Sequence, residues 1–421
     1  MKTGIIDEPV NYSKKENDRL GINDYANALK TFIEKTDTPM TVGIQGEWGS
    51  GKTSLMNRLW NELDGDEKNT KIECLWVNTW EHSLLKTPEE ALISIVNDIT
   101  NQISLLNPKN KNFDKLKNTG KKIFSGAVKM AAGFTTGVAG KEVVEEFLDS
   151  KADNSIKELK VTLESFIEET INDKENKDID QISKLVFYID DLDRIEPKNA
   201  VILLELLKNI FNVRHCIFIL AIDYQVVVKG LEHKFGKPTM DNEWEFRAFF
   251  DKIIQLPFMM PMSQYNIGKY VNKLLIDIGF TDDGGLDDNA IKEIILTTIG
   301  GNPRSIKRLV NSISLIEIFS RQRNSLIAAD ETSSITETSD VQKKFLLFAL
   351  LCLQIAYPHI YELLHQNPDF TKWDDKFAFF ITQKSEESKL EYPEFHTQFQ
   401  HAQETEGFNE DWEKALYRIC Y

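Results

Sequence analysis

Eight consecutive residues, Gly46-Glu47-Trp48-Gly49-Ser50-Gly51-Lys52-Thr53, follow the spacing G-x-x-x-x-G-K-T. That spacing makes a phosphate-binding loop, and each residue type has a chemical reason to be there. Gly46, Gly49 and Gly51 let the main chain turn sharply and come close to a polyphosphate. Successive N–H groups then converge as an anion-binding concavity at a helix start. Lys52 is placed to bridge β- and γ-phosphates, and the Thr53 hydroxyl to ligate Mg2+. The candidate nucleotide-binding residues are therefore Gly46, Glu47, Trp48, Gly49, Ser50, Gly51, Lys52, Thr53 and Ser54.

Such a loop works only between a strand and a helix. Met40-Thr41-Val42-Gly43-Ile44 reads as a short buried strand, and Ser54 to Trp60 carries apolar residues at helical spacing. A second element is needed, an apolar strand ending in acid. Leu185-Val186-Phe187-Tyr188-Ile189-Asp190-Asp191-Leu192-Asp193-Arg194 supplies it. Its continuous apolar run fits a central parallel strand covered on both faces. Asp190 would hold Mg2+ through water, and Asp191 is then placed to polarise an attacking water. Asp193 and Arg194 read as local ion pairs or as contacts to a neighbouring subunit.

The loop together with Ile189-Asp190-Asp191-Leu192-Asp193-Arg194 resembles the KAP family of P-loop NTPases. Asn78-Thr79-Trp80-Glu81 after the strand-like Cys74-Leu75-Trp76-Val77, the stretch Phe249 to Phe258 and the stretch Gly301 to Leu309 are similar to further parts of that family. The likeness covers roughly residues 5–325. It implies an AAA-like core with an additional strand, ATP as nucleotide, Phe249–Phe258 as the final core strand and Gly301–Leu309 as part of a helical lid. The lack of an N-K-x-D guanine motif agrees with ATP. The resemblance also implies membrane helices inserted between the two motifs in many members, and a link to phage exclusion in some bacterial ones. Many NTPases of this branch carry Glu where Asp191 stands, so the shorter acid bears on the hydrolysis rate.

The same likeness assigns further candidates. Asp223 occupies the sensor-1 position, where a polar side chain reads the γ-phosphate; equally, it fits a cap for the helix beginning near Tyr224. Arg247 stands at the corner where such cores carry an arginine finger, and a surface ion pair with Glu243 or Asp251 is the simpler account. Arg304, in the first turn of the helix after Gly300-Gly301-Asn302-Pro303, takes the sensor-2 role. Tyr25, on the approach helix Asp24–Ile33, either contacts the base or packs.

The expected architecture is α/β, a parallel sheet with helices on both faces, followed by a helical lid and a helical C-terminal domain. The expected divisions are residues 1–258 for the nucleotide-binding core with an insertion at about 105–180, 259–323 for the lid, 324–340 for a Ser/Thr-rich linker, and 341–421 for the last domain. At 421 residues the chain is long enough for two or three domains. Its net charge of −16 repels bulk nucleic acid, leaving only a local basic groove for direct contact. Cys74, Cys216, Cys352 and Cys420 are scattered and read as reduced core residues. The polar N-terminus has no signal-peptide pattern, so the cytoplasm is the expected compartment.

The stretch between Lys52 and Asp190 exceeds what the βα units of a bare core require. Within it, Ile123 to Gly140 is glycine-rich and weakly apolar, with a G-x-x-x-G at Gly133 and Gly137. Lys129 interrupts it and it is short for a bilayer span. Plain packing, an oligomer contact and peripheral membrane contact all fit it. Ile156, Leu159, Leu163 and Phe166 form one face of an amphipathic helix, followed by a polar run to Asp178. Ala200–Phe211 reads as a helix and Cys216–Asp223 as the next core strand. Trp373, Phe377, Phe379, Phe380, Tyr392, Phe395 and Phe399 suggest an aromatic-rich helical tail that packs on the lid or meets a partner. His359, His365, His396 and His401 have no company at metal spacing. No second catalytic motif is present, so effector proteins or further copies of the chain are expected to act in trans.

Overall fold

The computed structural model describes residues 3–10, 18–63, 72–83, 88–107, 114, 152–172, 182–210, 212–282, 284–327, 340–358 and 361. The glycine-rich segment 123–140, the polar run after residue 172, the aromatic tail, Cys420 and His359, His365, His396 and His401 lie outside them. The chain divides into two compact units: residues 9–17 with 22–260, and residues 1–8 with 18–21 and 261–421. Residues 1–8 and 18–21 thus fall with the C-terminal unit and not with the core to which the sequence assigned them. Polar contacts explain this: Asn311 brackets Ile5 from both sides, the Ser314 hydroxyl donates to the Thr3 carbonyl, and the Asn266 N–H donates to the Leu20 carbonyl.

The first unit is built on a five-stranded sheet ordered β2-β3-β4-β1-β5, every pairing parallel. The strands are β1 (Met40–Gln45), β2 (Ile72–Asn78), β3 (Lys184–Asp190), β4 (Cys216–Ile222) and β5 (Leu256–Met259). The order places β4 between the loop-bearing β1 and the acid-bearing β3, which is the additional strand the resemblance implied.

Helices cover both faces because strand side chains alternate. Leu185, Phe187 and Ile189 of β3 join Cys216, Phe218, Leu220 and Ile222 of β4 in one buried cluster. The short helix α3 (Thr79–Ser83) follows β2, and that face is covered by α4 (Pro88–Leu106), α5 (Ala152–Asn172), α6 (Pro197–Ile210), α7 (Tyr224–Phe235) and α8 (Glu243–Asp251). Leu163 and Phe166 of the expected amphipathic helix are buried there, so α5 is an integral layer of the core. On the other face, α1 (Asn23–Lys35) and α2 (Lys52–Leu63) contribute Ile33, Leu55, Met56 and Leu59. Trp60 of α2 packs there against Trp76 and Tyr188, which stack with ring centroids 5.4 Å apart.

The last strand is shorter than expected. Phe249, Phe250 and Asp251 belong to α8, and pairing with β1 begins at Leu256. Phe246, Phe249 and Phe250 are all buried at helical spacing, which keeps that segment helical to Asp251; after a short turn, Gln255 donates its N–H to the Thr41 carbonyl.

The second unit contains α9 (Ile267–Asp277), α10 (Asp288–Thr297), α11 (Pro303–Ile327) and α12 (Asp340–Ala356). Asp287 caps α10 by accepting from Asn289 and Ala290. Asn302 accepts from the Arg304 N–H at the start of α11. Tyr357 donates its hydroxyl to the Thr297 carbonyl, tying the end of α12 to α10. The helix α11 runs to Ile327 and α12 opens at Asp340, so residues at both ends of the expected linker are helical. Cys74, Cys216 and Cys352 are buried free thiols. Among the described residues, no helix is long and apolar enough to cross a membrane.

Candidate functional site

Parallel strands bring their carboxyl ends to one edge, where ligands bind in such sheets. At that edge Asn78 lies in register with Asp190, and Gln45 with Ile222. The loop from Gly46 to Gly51 leaves β1 there. Its turn needs two left-handed residues, and Gly49 (φ 91°) and Gly51 (φ 103°) supply them. Gly46 is required for space: a Cβ would sit 2.6 Å from Ser50 Oγ and 3.0 Å from Met260 Cγ. The Gly46 N–H donates to the Ile222 carbonyl at 3.1 Å, which anchors the loop to β4. Helix α2 starts at Lys52, so its first-turn N–H groups face the loop's concavity. The Ser50 and Lys52 side chains are buried, whereas Glu47 and Trp48 face solvent.

Lys52 Nζ donates to the Gly46 carbonyl (2.8 Å), the Glu47 carbonyl (3.2 Å) and Asp193 Oδ2 (3.0 Å). The last of these is a buried ion pair with side-chain exposures of 6% and 5%. The sequence read Asp193 as a partner for near neighbours or another subunit; the structure pairs it instead with the loop lysine.

Asp190 ends β3 at 3% exposure. Its carboxylate accepts the Asp191 N–H at 2.8 Å and the Thr53 hydroxyl. Burial, and next the charge of Asp191, push its pKa up to about 6. The Thr53 hydroxyl and the Asp190 carboxylate form a hard, all-oxygen donor pair, the kind Mg2+ takes when substrate phosphates complete its shell. The raised pKa adds to the fit, because a divalent cation would stabilise the ionised carboxylate there.

Asp191 is held in the left-handed region at φ 61°. Asp tolerates that conformation better than most residues, yet it stores strain of the kind found at functional sites. Its carboxylate lies 2.7 Å from Arg194 Nε and accepts from the Asn78 side chain. Burial raises its pKa and Arg194 opposes that rise. The Arg194 guanidinium also lies 5.1 Å from the centroid of the Trp80 ring. Thr79 donates its hydroxyl to the Asp190 carbonyl at 2.9 Å. The segment Asn78–Trp80 therefore belongs to the site; its polar residues directly after a strand were the available signal.

The other candidates stand as follows. Asp223 caps α7, accepting from the Gln225 N–H at 3.0 Å. Tyr25 is half-buried with its ring edge-on to Phe258, centroids 6.4 Å apart. Arg247 sits on α8 with 68% side-chain exposure, 2.5 Å from Glu243. Arg304 lies in the C-terminal unit, its Nε 2.5 Å from Asp7 Oδ2.

A glycine loop between β1 and α2, an acid-tipped β3 and an inserted β4 define a P-loop NTPase core. The chain belongs to the KAP family: the KAP family P-loop domain matches residues 22–319. It is also similar to the phage T7 exclusion protein of Escherichia coli (strain K12), with 25% identity over 272 residues that cover 58% of this chain and 33% of that protein. The chain thus spans about a third of the length of that relative.

Proposed function

We propose that the protein binds ATP with Mg2+ at this site and hydrolyses the β–γ bond, and that the energy drives or switches a multiprotein assembly in antiphage defence. The convergence of Lys52, Thr53 and Asp190 at one sheet edge carries this reading. Lys52 neutralises phosphate charge as the bond breaks, and the loop's N–H groups fix the phosphates in line. Thr53 and Asp190 would hold Mg2+, which would neutralise charge on the phosphate oxygens. Asp191 aims the attacking water, with Asn78 orienting its carboxylate. Arg304 as sensor-2, Asp223 as sensor-1 and Arg247 as a finger in trans complete the reading, which places the protein in the cytoplasm as an oligomer or alongside effector proteins. The defence role rests on the exclusion protein's name and on the shared family.

One observation favours a second reading, a slow nucleotide switch. The Asp191 carboxylate is engaged by Arg194 at 2.7 Å, so the water-aiming group is restrained at rest. Bound ATP would then hold an assembled state and rare hydrolysis would reset it. ATP turnover across a protein concentration series, with Lys52→Ala as control, separates the two. Turnover rising steeply with concentration and absent in the variant supports the driven assembly. Tight binding with almost no turnover supports the switch, and no binding at all would discard both.

A further inference from the structure

We propose that Asp193 is the resting counter-ion of Lys52, a positioning residue whose displacement gates entry of a nucleotide di- or triphosphate. This rests on the nucleotide-binding reading above. An ammonium group has three N–H donors. Lys52 spends them on the Gly46 carbonyl, the Glu47 carbonyl and Asp193. A phosphate oxygen reaches Nζ only by replacing one of these acceptors.

The geometry points to which one. Two acceptors are carbonyls of the loop in which the phosphate itself must lie. Asp193 stands on a separate element, the single 3-10 turn Leu192–Arg194 that follows the left-handed Asp191. It is also the one acceptor of the three that bears a charge. An incoming polyphosphate competes with it for the same cation while repelling it, at a place where both side chains are nearly inaccessible and screening is weak. The neighbouring acids are anchored otherwise: Asp190 by the Asp191 N–H and Thr53, Asp191 by Arg194 and Asn78. The carboxylate that yields is therefore Asp193. Part of the phosphate affinity of Lys52 is consumed in parting this pair, which keeps resting affinity low and makes site opening conditional on a ligand that replaces the lost charge.

The test is titration of the full chain with a fluorescent ADP analogue and Mg2+, comparing the parent with Asp193→Asn and Asp193→Glu. Asp193→Asn removes the competing charge at nearly constant shape, and affinity should rise on the order of tenfold. Asp193→Glu keeps the charge and should return affinity to near the parent value. Equal or weaker binding by Asp193→Asn overturns the proposal, since a residue that only supports the fold yields no gain on removal. Neutralising one member of a buried pair can unfold a protein. If Asp193→Asn is unfolded alone, it is prepared with Mg2+ and the analogue bound and the release rate measured; slower release than the parent supports the gate, and equal or faster release overturns it. A parent chain that binds no nucleotide removes the nucleotide reading and this inference together. A parent that binds, with Asp193→Asn unchanged, removes this inference alone.

Discussion

Arg194 holds the Asp191 carboxylate at 2.7 Å across one 3-10 turn, and the same guanidinium lies over the Trp80 ring. On the proposed reading, the acid that aims water is thus clamped by a residue three positions on. Releasing the clamp should favour the reactive geometry without touching the phosphate cradle. Arg194→Ala is expected to raise kcat several-fold and leave KM little changed, measured by steady-state ATP turnover. A fall in kcat would instead make the guanidinium part of the transition-state machinery. In Asp191→Ala turnover should drop on the order of a hundredfold while nucleotide binding persists.

Asp190 gives the site a pH signature. Its pKa stands at about 6 in the folded chain against 3.8 when unperturbed, chiefly through burial. The folded state therefore binds more protons than the unfolded state between those values, so this group's contribution to stability falls as pH rises through that window. Above it the full penalty remains, about 3 kcal/mol at most for a shift of this size. Asp190→Asn should raise the melting temperature of the ligand-free protein at pH 8, and the gain should vanish near pH 4. Stabilisation by Mg2+ and nucleotide should be lost in the same variant. A melting temperature at pH 8 no higher than the parent's would contradict this account.

Local chemistry makes the loop, β3 and α5 legible in the amino-acid sequence. Glycine at the left-handed positions 49 and 51, the unbroken apolar run ending at Asp190 and the face formed by Leu163 and Phe166 are each written within a few residues. What escaped depended on contacts distant in sequence. Asp193 sits next to Arg194, and proximity along the chain suggested a local pair; the fold brings it to Lys52 instead. The boundary before β5 escaped because Phe246, Phe249 and Phe250 suit a buried strand and a buried helix equally in composition. Residues 1–8 group with α11 through hydrogen bonds that the Asn311 and Ser314 side chains donate to the Ile5 and Thr3 carbonyls, which no periodicity announces.

The packing of α6 on α7 sets a stability test. A Cβ at Gly230 would lie 2.1 Å from the Pro197 carbonyl oxygen, a backbone atom that cannot rotate away. The two helices approach closely only because this residue has no side chain. Gly230→Ala is expected to destabilise the folded chain by about 2–3 kcal/mol, despite the better helix propensity of Ala. Gly301→Ala, whose Cβ would meet its nearest neighbour at an ordinary 3.6 Å, should change stability by less than about 0.5 kcal/mol. Chemical denaturation of the two variants decides it, and equal effects would refute the close-packing argument.

Arg247 separates a role in trans from a role in the fold. Its side chain is largely exposed, and Glu243, one helical turn back, is an exposed partner as well. Such surface pairs add little to stability, so Arg247→Ala should melt with the parent. If a neighbouring copy of the chain uses this guanidinium on its own nucleotide, the variant should lose the concentration-dependent part of ATP turnover by a factor on the order of a hundred or more. Nucleotide affinity of the isolated chain should not change. Adding an excess of Asp191→Ala, which retains Arg247 but lacks its own water-aiming acid, should restore turnover to mixed assemblies. Unchanged turnover in Arg247→Ala at every concentration would confine this arginine to its pair with Glu243 and leave the finger to be sought elsewhere.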